Sequence, residues 1–243
     1  MTDATLIPWT RFLSGTKTRI LILPTGSLEQ HGPHLPLWTD TLIAWKLALK
    51  AAENLENEDV EAPVLPPIPY GISYMWNNNE GTISVKQDTF VKYLIDAAVS
   101  ALRWGTHLVI LNGHGGNVDA AKYAAREIAQ LSNKPVAVVN WWELVRDVIE
   151  GVCETSFFHA DECETSVAAY LGIPITGRPR PSPQPFRRRQ PGGVHVYMPE
   201  HELRHEPGSF GSPDKYSAEK GRKIVKEFVK RFTAFVTDFI KQR

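Results

Sequence analysis

The sequence has little cysteine, no long apolar run and no excess of one charge, and each shortage excludes a class of protein. Only Cys153 and Cys163 occur among 243 residues, so we expect no disulfide framework and no Cys-x-x-Cys zinc site. No apolar run approaches the roughly 20 residues that cross a bilayer. The 27 basic and 27 acidic residues leave a net charge of +0, which gives no field to attract nucleic acid or an anionic membrane.

The amino terminus has no basic segment followed by an apolar core, so no secretory signal is expected. Together with the two cysteines, this favours a reducing, cytoplasmic location. Apolar residues make up 42% of the chain, which is enough for a sizeable core without covalent staples. We expect a single domain over residues 1–243.

Apolar runs that favour strands alternate with helical patterns along the chain. The strand runs cover 20–23, 107–111 and 135–139, and Pro24 with Gly26 should end the first. The helical patterns cover 40–57, 88–105, 118–131, 164–171 and 217–240. Strand and helix in alternation predict an α/β protein with a parallel sheet covered by helices on both faces.

One segment, 174–213, interrupts this alternation with many proline, glycine and arginine residues. It is too long for a plain connection, so it is either a disordered linker or a loop region that shapes a site or a subunit contact. Residues 194–197 alternate like a short edge strand, which favours order. The three arginines at 187–189 either contact an anion, such as a substrate phosphate or an acidic neighbouring subunit, or form a solvated loop.

Three short turns carry carboxylates and imidazoles. Glu29 and His31 lie just past the first strand run, His114 lies just past the second, and the third turn carries His159 and Glu164. In open parallel sheets ligands bind beyond the carboxyl ends of the strands, so adjacent strands would bring the first two turns together. Carboxylate with imidazole is a ligand set that suits Zn, Mn or Fe.

The spacing in the first turn favours two metal ions over one. Glu29 and His31 are two residues apart, so in an extended turn their side chains would point to opposite sides. Asp40 is the natural bridge between two ions, because a carboxylate offers two oxygens. Aromatic residues that could line the substrate pocket are Tyr74, Trp76, Trp141 and Trp142, together with Met75; packing in the core or between subunits is the alternative.

Each turn alone also has a simpler interpretation. Glu29 and His31 could be surface turn residues, and Glu162 with Glu164 could be acids favoured by a helix dipole. The segment 113–116 could be a weak phosphate loop of a nucleotide-binding protein, although it lacks the Gly-x-Gly-x-x-Gly order and a following Lys-Ser/Thr. The occurrence of all three turns in one chain favours the metal site.

The ordered set of motifs resembles the creatininase (creatinine amidohydrolase) family over most of the chain. The matching segments are 23–36 with Asp40, 70–73, 81–84, 112–117, 164–166 and 217–221. The resemblance implies a three-layer α/β/α fold with a mostly parallel central sheet. It also implies two divalent metal ions per chain, a small-molecule amide substrate and assembly into homohexamers.

The resemblance further implies roles for single residues. The implied metal ligands are Glu29, His31, Asp40, His114 and Glu164. In this set Glu29 would serve the first metal, His31 the second, and Asp40 would bridge them. His159 would transfer a proton, with Glu164 beside it at the catalytic centre.

Two positions depart from the members that hydrolyse creatinine. Gly116 stands where those enzymes carry a glutamate ligand, so we expect creatinine to be a poor substrate. Asp161 stands where the usual His-Ala-Gly has glycine, and could repel substrate anions or alter the pKa of His159. The Gly-Gly form is similar to relatives that deformylate a ribosylaminopyrimidine phosphate in flavin and deazaflavin synthesis, or that trim a cofactor-precursor peptide.

The sequence therefore predicts a metal-dependent amidohydrolase. It would hydrolyse a non-peptide or cyclic C–N amide bond through a water activated by two metal ions. The alternatives are a formamide deformylase acting on a formylaminopyrimidine ribonucleotide, and a catalytically silent metal-binding oligomer.

Overall fold

A computed structural model of the chain describes residues 2–13, 18–56, 60–183 and 207–241. The predicted edge strand at 194–197 and the arginines Arg187, Arg188 and Arg189 lie outside the described residues. None of the described helices is both long and apolar enough to cross a membrane.

In the part of the chain that the structure describes, three parallel strands form the centre of the fold, as predicted. They are β1 (Ile20–Thr25), β2 (His107–Asn112) and β3 (Val136–Asn140), in the order β1-β2-β3. The register places Thr25 opposite Asn112, and Asn112 opposite Asn140. The carboxyl ends of all three strands therefore meet at one edge, where the predicted turns begin.

The prediction that Pro24 ends the first strand is wrong, because β1 continues through Thr25. Proline is tolerated in a strand only where no ladder hydrogen bond needs its missing N–H. The carbonyl of Pro24 accepts a hydrogen bond from the N–H of Ile68, which lies on the side of β1 away from β2. The missing N–H falls on that irregular side, so pairing with β2 is intact.

Within the described ranges, seven α-helices cover the sheet. They are α1 (Thr39–Glu56), α2 (Gln87–Ala101), α3 (Val118–Ser132), α4 (Trp141–Leu144), α5 (Arg146–Val152), α6 (Glu162–Tyr170) and α7 (Ala218–Phe239). The five predicted helices are present with shifted ends, whereas α4 and α5 were not predicted. Helix α6 begins two residues earlier than expected because the Asp161 side chain accepts a hydrogen bond from the N–H of Glu164, 2.9 Å away, and caps the helix.

The alternation of strand side chains creates two separate cores. Ile20 and Ile22 pack into one core with residues of α1, α6 and α7. Leu21 and Leu23 point the other way and pack with α2 and α3. The predicted α/β/α fold with helices on both faces of a parallel sheet is confirmed.

Candidate metal centre

The predicted site residues converge at the carboxyl edge of the sheet. Glu29 and His31 follow β1, Asp40 lies in the first turn of α1, and His114 follows β2. His159 and Glu164 reach the same place from the loop before α6 and from α6 itself. All six side chains are buried, and their residues are between 1% and 7% exposed: Glu29, His31, Asp40, His114, His159 and Glu164.

Asp40 is the centre of this cluster. One carboxylate oxygen, Oδ1, lies 3.0 Å from His31 Nε2, and the other, Oδ2, lies 2.8 Å from His114 Nδ1. The hydroxyl of Ser27 donates a hydrogen bond to Oδ2 at 2.8 Å and fixes the carboxylate in this orientation. Each oxygen of Asp40 thus faces a different imidazole, which is the arrangement expected of a bridging carboxylate.

Glu29 lies between two further imidazoles. Its Oε2 is 3.5 Å from His114 Nε2, and its Oε1 is 3.6 Å from His159 Nδ1. Oε2 is buried and makes no hydrogen bond with any of the described residues. Burying a carboxylate oxygen that no donor meets at hydrogen-bond distance is costly, so this atom fits a site that a cation completes.

Among the residues with described positions, the donor atoms form three overlapping groups, and within each group the atoms lie within 4.8 Å of one another. The groups are Glu29 with His31 and His159, Glu29 with Asp40 and His114, and His31 with Asp40 and Glu164. Glu29, His31 and Asp40 each belong to two groups, so the donors form one continuous cluster. Its carboxylates and imidazoles suit a divalent ion such as Zn or Mn.

The first turn is not extended, and this changes one expectation. Glu29 and His31 share a ligand group, so their side chains converge instead of pointing to opposite sides. The contact that accompanies this convergence is local: His31 Nδ1 lies 3.1 Å from the carbonyl oxygen of Glu29, so the imidazole folds back over the turn. The assignment of these two residues to different ions stays a prediction.

Charges inside the cluster displace its pKa values strongly. Burial alone would lower the pKa of His31 and His114, but the carboxylates of Asp40 and Glu29 outweigh it and raise these pKa values to about 10 and about 9. Burial opposes ionisation of Asp40, yet the facing imidazoles hold its pKa well below the usual range. Burial, and then the charge of Asp40, raises the pKa of Glu164. Protons therefore balance the buried carboxylates where no cation does so.

The pKa of His159 is shifted in the opposite direction from those of His31 and His114. Burial and the nearby charge of His31 lower its pKa well below the usual value, so its imidazole is neutral at pH 7. The carbonyl oxygen and the side-chain nitrogen of Gln30 both lie 2.9 Å from His159 Nε2, while Nδ1 faces Glu29. The ring stacks on Trp76 with a centroid distance of 4.5 Å, which fixes its orientation. His159 also belongs to one ligand group, so proton transfer stays a prediction.

Asp161 does not face the substrate space, contrary to one expectation. It is fully buried, and besides capping α6 through Oδ1 its Oδ2 accepts a hydrogen bond from the N–H of Phe158 at 2.5 Å. Ala160 beside it has a positive φ of 45°, which is unfavourable for a residue with a Cβ. The carboxylate of Asp161 thus holds the sharp turn between His159 and α6.

The backbone around His114 leaves no room for a side chain at Gly116. A Cβ built there would lie 2.0 Å from the carbonyl oxygen of Ile72 and 2.7 Å from His114 Nε2. Ile72 cannot move easily, because its N–H donates to Asn117 Oδ1 at 3.0 Å. The structure therefore explains why glycine occupies this position.

A cavity of about 420 Å³ opens onto the cluster. Met75, Trp76 and Trp142 line it, as predicted, whereas Tyr74 and Trp141 are not among its lining residues. The remaining lining residues include four that sequence reasoning missed: Glu143, Arg146, Phe157 and Phe158. They lie in α4, in α5 and in the loop before His159, where no periodic pattern indicated a role.

Comparisons with known proteins identify the family. A family model described as "Creatinine amidohydrolase" matches residues 6–236. The mycofactocin precursor peptide peptidase of Mycolicibacterium smegmatis is 31% identical over 218 residues, covering 86% of this chain and 81% of that protein. The creatinine amidohydrolase of Pseudomonas putida is 28% identical over 225 residues, covering 85% of this chain and 84% of that protein.

Solved structures give the same result. A putative creatinine amidohydrolase from Bacteroides fragilis superimposes with a TM-score of 0.83 at 26% identity, covering 100% of this chain and 97% of that one. A mutant creatininase described as the Zn-Zn type and a creatininase described as the Mn form match with TM-scores of 0.75 and 0.77 at 25% and 26% identity, each with 98% of both chains covered. With its motifs, fold and buried donor cluster all in agreement, the chain belongs to the creatininase (creatinine amidohydrolase) family of hydrolases.

Proposed function

We propose that this protein is a metal-dependent amidohydrolase that cleaves a C–N amide bond with two divalent ions, Zn or Mn, bound to each chain. The observation that carries the proposal is Asp40, whose two oxygens lie 3.0 and 2.8 Å from two different imidazoles inside overlapping donor groups. The residues that would hold the ions are Glu29, His31, Asp40, His114 and Glu164. Similar creatininases described as Zn-Zn and Mn forms support the choice of metals.

Bound divalent ions supply a water of lowered pKa and polarise the carbonyl of the substrate. The residues of the chain provide position and proton transfer. His159 is neutral and presents Nδ1 to the cluster, so it takes the proton released when water attacks and delivers it to the leaving nitrogen. Glu164, held by the N–H of Ala160 at 2.5 Å, keeps its carboxylate at the same centre.

The substrate class is an amide of a small molecule, as predicted from the sequence. A short peptide is the second candidate, favoured by the mycofactocin precursor peptide peptidase that is 31% identical over most of both chains. A formylaminopyrimidine ribonucleotide is the remaining alternative from the motifs. We expect creatinine to be a poor substrate, because position 116 cannot carry a further ligand in this backbone.

A metal-loaded activity screen tests the proposal. Metal-free protein would be loaded with Zn or Mn, its metal content measured, and hydrolysis followed on creatinine, short peptides and a formamidopyrimidine nucleotide. Asp40→Asn keeps the size of the side chain but removes the charge that a bridge requires, so it should lose metal and activity. Asp88→Asn, the same change at an exposed aspartate in the first turn of α2, is the matched control for folding.

Two outcomes would contradict the proposal. Wild-type protein that takes up no metal would show that the cluster is a network of protonated histidines. Protein that binds two ions per chain yet hydrolyses none of the three substrate classes would favour the catalytically silent metal-binding oligomer. The homohexamer stays a prediction, which light scattering on the same preparation would test.

A further inference from the structure

We propose that Arg146 forms an anion-binding subsite in the cavity and recognises a carboxylate or phosphate group of the substrate. Arg146 is the first residue of α5 and lines the cavity that contains Glu29, His114 and Glu164. Among the described residues it is the one lysine or arginine in the cavity lining. The proposal deepens the amidohydrolase function and rests on it.

The side chain of Arg146 is available to a ligand. It is exposed, and within the described parts of the chain it makes no hydrogen bond or ion pair. The neighbouring carboxylate of Asp147 is instead engaged by Arg231, whose two terminal nitrogens lie 2.6 and 2.8 Å from its two oxygens. Glu143, also in the cavity lining, accepts a hydrogen bond from Asn140 at 2.8 Å.

The charge of the cavity favours an anion once the centre is loaded. Three carboxylates, those of Glu29, Asp40 and Glu164, face the proposed ions, so two divalent ions leave one positive charge in excess. The carboxylate of Glu143 in the same lining offsets this charge and the guanidinium of Arg146 restores it, so the loaded cavity keeps one positive charge in excess. The planar fork of the guanidinium matches the paired oxygens of a carboxylate or phosphate.

The apolar wall beside Arg146 indicates what the rest of the ligand is like. Trp142 of α4 lies four residues before Arg146 in sequence, and its ring stacks on Phe157 with a centroid distance of 5.8 Å. Both rings line the cavity, which has the volume of a small-molecule site. The inferred ligand class is an amide that carries an anionic group and an apolar or aromatic portion.

Calorimetry on the metal-loaded protein tests the subsite without requiring turnover. The probes are N-acetylphenylalanine, its neutral carboxamide, and phenyl phosphate. Wild-type protein should bind at least one anion roughly tenfold or more tightly than the carboxamide, the scale of a charge-assisted contact. The anionic probes can also coordinate the metal ions. The decisive quantity is therefore how much Arg146→Gln reduces the preference for the anion over the carboxamide.

We expect Arg146→Gln to bring the anion within about threefold of the carboxamide and to leave carboxamide binding and metal content unchanged. Arg103→Gln, a matched change at an exposed arginine outside the cavity, should keep the wild-type preference. The two anions distinguish a carboxylate from a phosphate ligand. An unchanged preference in Arg146→Gln, or no preference in wild type, would overturn the subsite. If Arg146→Gln reduces the preference as expected but the protein hydrolyses no substrate, the amidohydrolase function is contradicted and the subsite is not.

Discussion

The two halves of the candidate site are held by different kinds of structure. Glu29, His31 and His114 follow the ends of β1 and β2, where paired strands fix the backbone before each turn begins. Buried side-chain hydrogen bonds join these ends: Thr25 bonds to Asn112 at 3.1 Å, and Asn112 bonds to Asn140 at 2.9 Å. This strand-end half is positioned by regular backbone pairing.

The other half, the loop 153–161 with its aromatic wall, has no strand behind it. It depends on Glu162, a fully buried carboxylate in the first turn of α6. Glu162 Oε2 accepts hydrogen bonds from the N–H groups of Glu154 and Thr155 at 2.9 and 3.1 Å. Its other oxygen accepts from Lys220 Nζ on α7 at 2.5 Å.

The 217–221 motif makes this second half dependent on a distant helix. Ser217 caps α7 by accepting from the N–H of Lys220, and the N–H of Ser217 donates to Ser166 Oγ on α6 at 3.1 Å. Gly221 lets the helices approach closely, since a Cβ there would lie 2.0 Å from the Ser166 carbonyl oxygen. One half of the site is thus secured by the sheet. The other is secured by helix packing and by the ion pairs of Lys220 with Glu162 and of Lys215 with Glu154.

Replacing a donor in the strand-end half should have the largest effect. His114→Ala removes an imidazole that contacts both Asp40 and Glu29. We expect the metal content to collapse and activity to reach background, a greater loss than the roughly 10–100-fold caused by removing a residue that only orients a ligand. Elemental analysis with a kinetic assay checks this. A metal-replete His114→Ala enzyme would show that the strand-end half does not bind the ions.

His159→Ala tests whether His159 transfers a proton, in contrast to the metal-binding residues of the strand-end half. We expect this variant to keep its metals and its fold, because the strand-end donors remain, yet to lose roughly 10²–10⁴-fold in kcat, the scale of a lost general acid–base. Metal analysis beside steady-state kinetics gives the comparison with His114→Ala. A metal-depleted His159→Ala protein would assign His159 to the ligands, as its group with Glu29 and His31 allows.

Metal affinity should depend on pH because the histidines of the strand-end half must lose a proton before they bind a metal ion. In the metal-free protein, His31 and His114 have pKa values of about 10 and about 9, so both are protonated at pH 7. A metal ion needs the neutral imidazole, so binding releases protons and weakens as the pH falls from 9 towards 6. A slope of one to two decades per pH unit is expected for one or two displaced protons. Titration in buffers of different ionisation enthalpy measures the protons, and a flat profile would contradict protonated histidines.

The smallest expected effect lies in the ion pair between α6 and α7. Lys220→Met leaves the buried Glu162 without its cation, which should destabilise the protein by about 2 kcal/mol, below the usual cost of a broken buried pair because Lys220 is partly exposed. Loosening the loop should lower kcat about tenfold through His159 while metal content stays unchanged.

Two variants serve as controls for Lys220→Met. Lys220→Arg should retain most of the stability that Lys220→Met loses, because arginine keeps the positive charge. Lys230→Met removes a lysine of α7 whose pair with Glu227 is long, at 3.5 Å, and should change little. Equal effects of Lys220→Met and Lys230→Met on kcat would show that the loop does not depend on Glu162.

The same contrast explains what could be predicted from the sequence. The strand-end half could be predicted because buried strands read as apolar runs, and polar residues directly after such runs are placed by the sheet. The wall of α4, α5 and the loop has no such periodicity. Phe157 packs against Trp141 and Trp142, and only the folded chain brings Arg146 into the cavity. The end of β1 was predicted wrongly at Pro24 because Ile68, which bonds to Pro24 on the side of β1 away from β2, is far away in sequence.

The crowding at Gly116 limits how this active site can change by mutation. Gly116→Glu would be blocked by the Ile72 carbonyl, and that segment is itself confined because a Cβ on Gly71 would lie 2.4 Å from the carbonyl oxygen of Gly26. Adding a fourth carboxylate beside His114 therefore needs coordinated shifts in three chain segments. A glutamate at position 116 would therefore act on the backbone of 71–72 and of the turn that carries His114 before it could act on any metal ion.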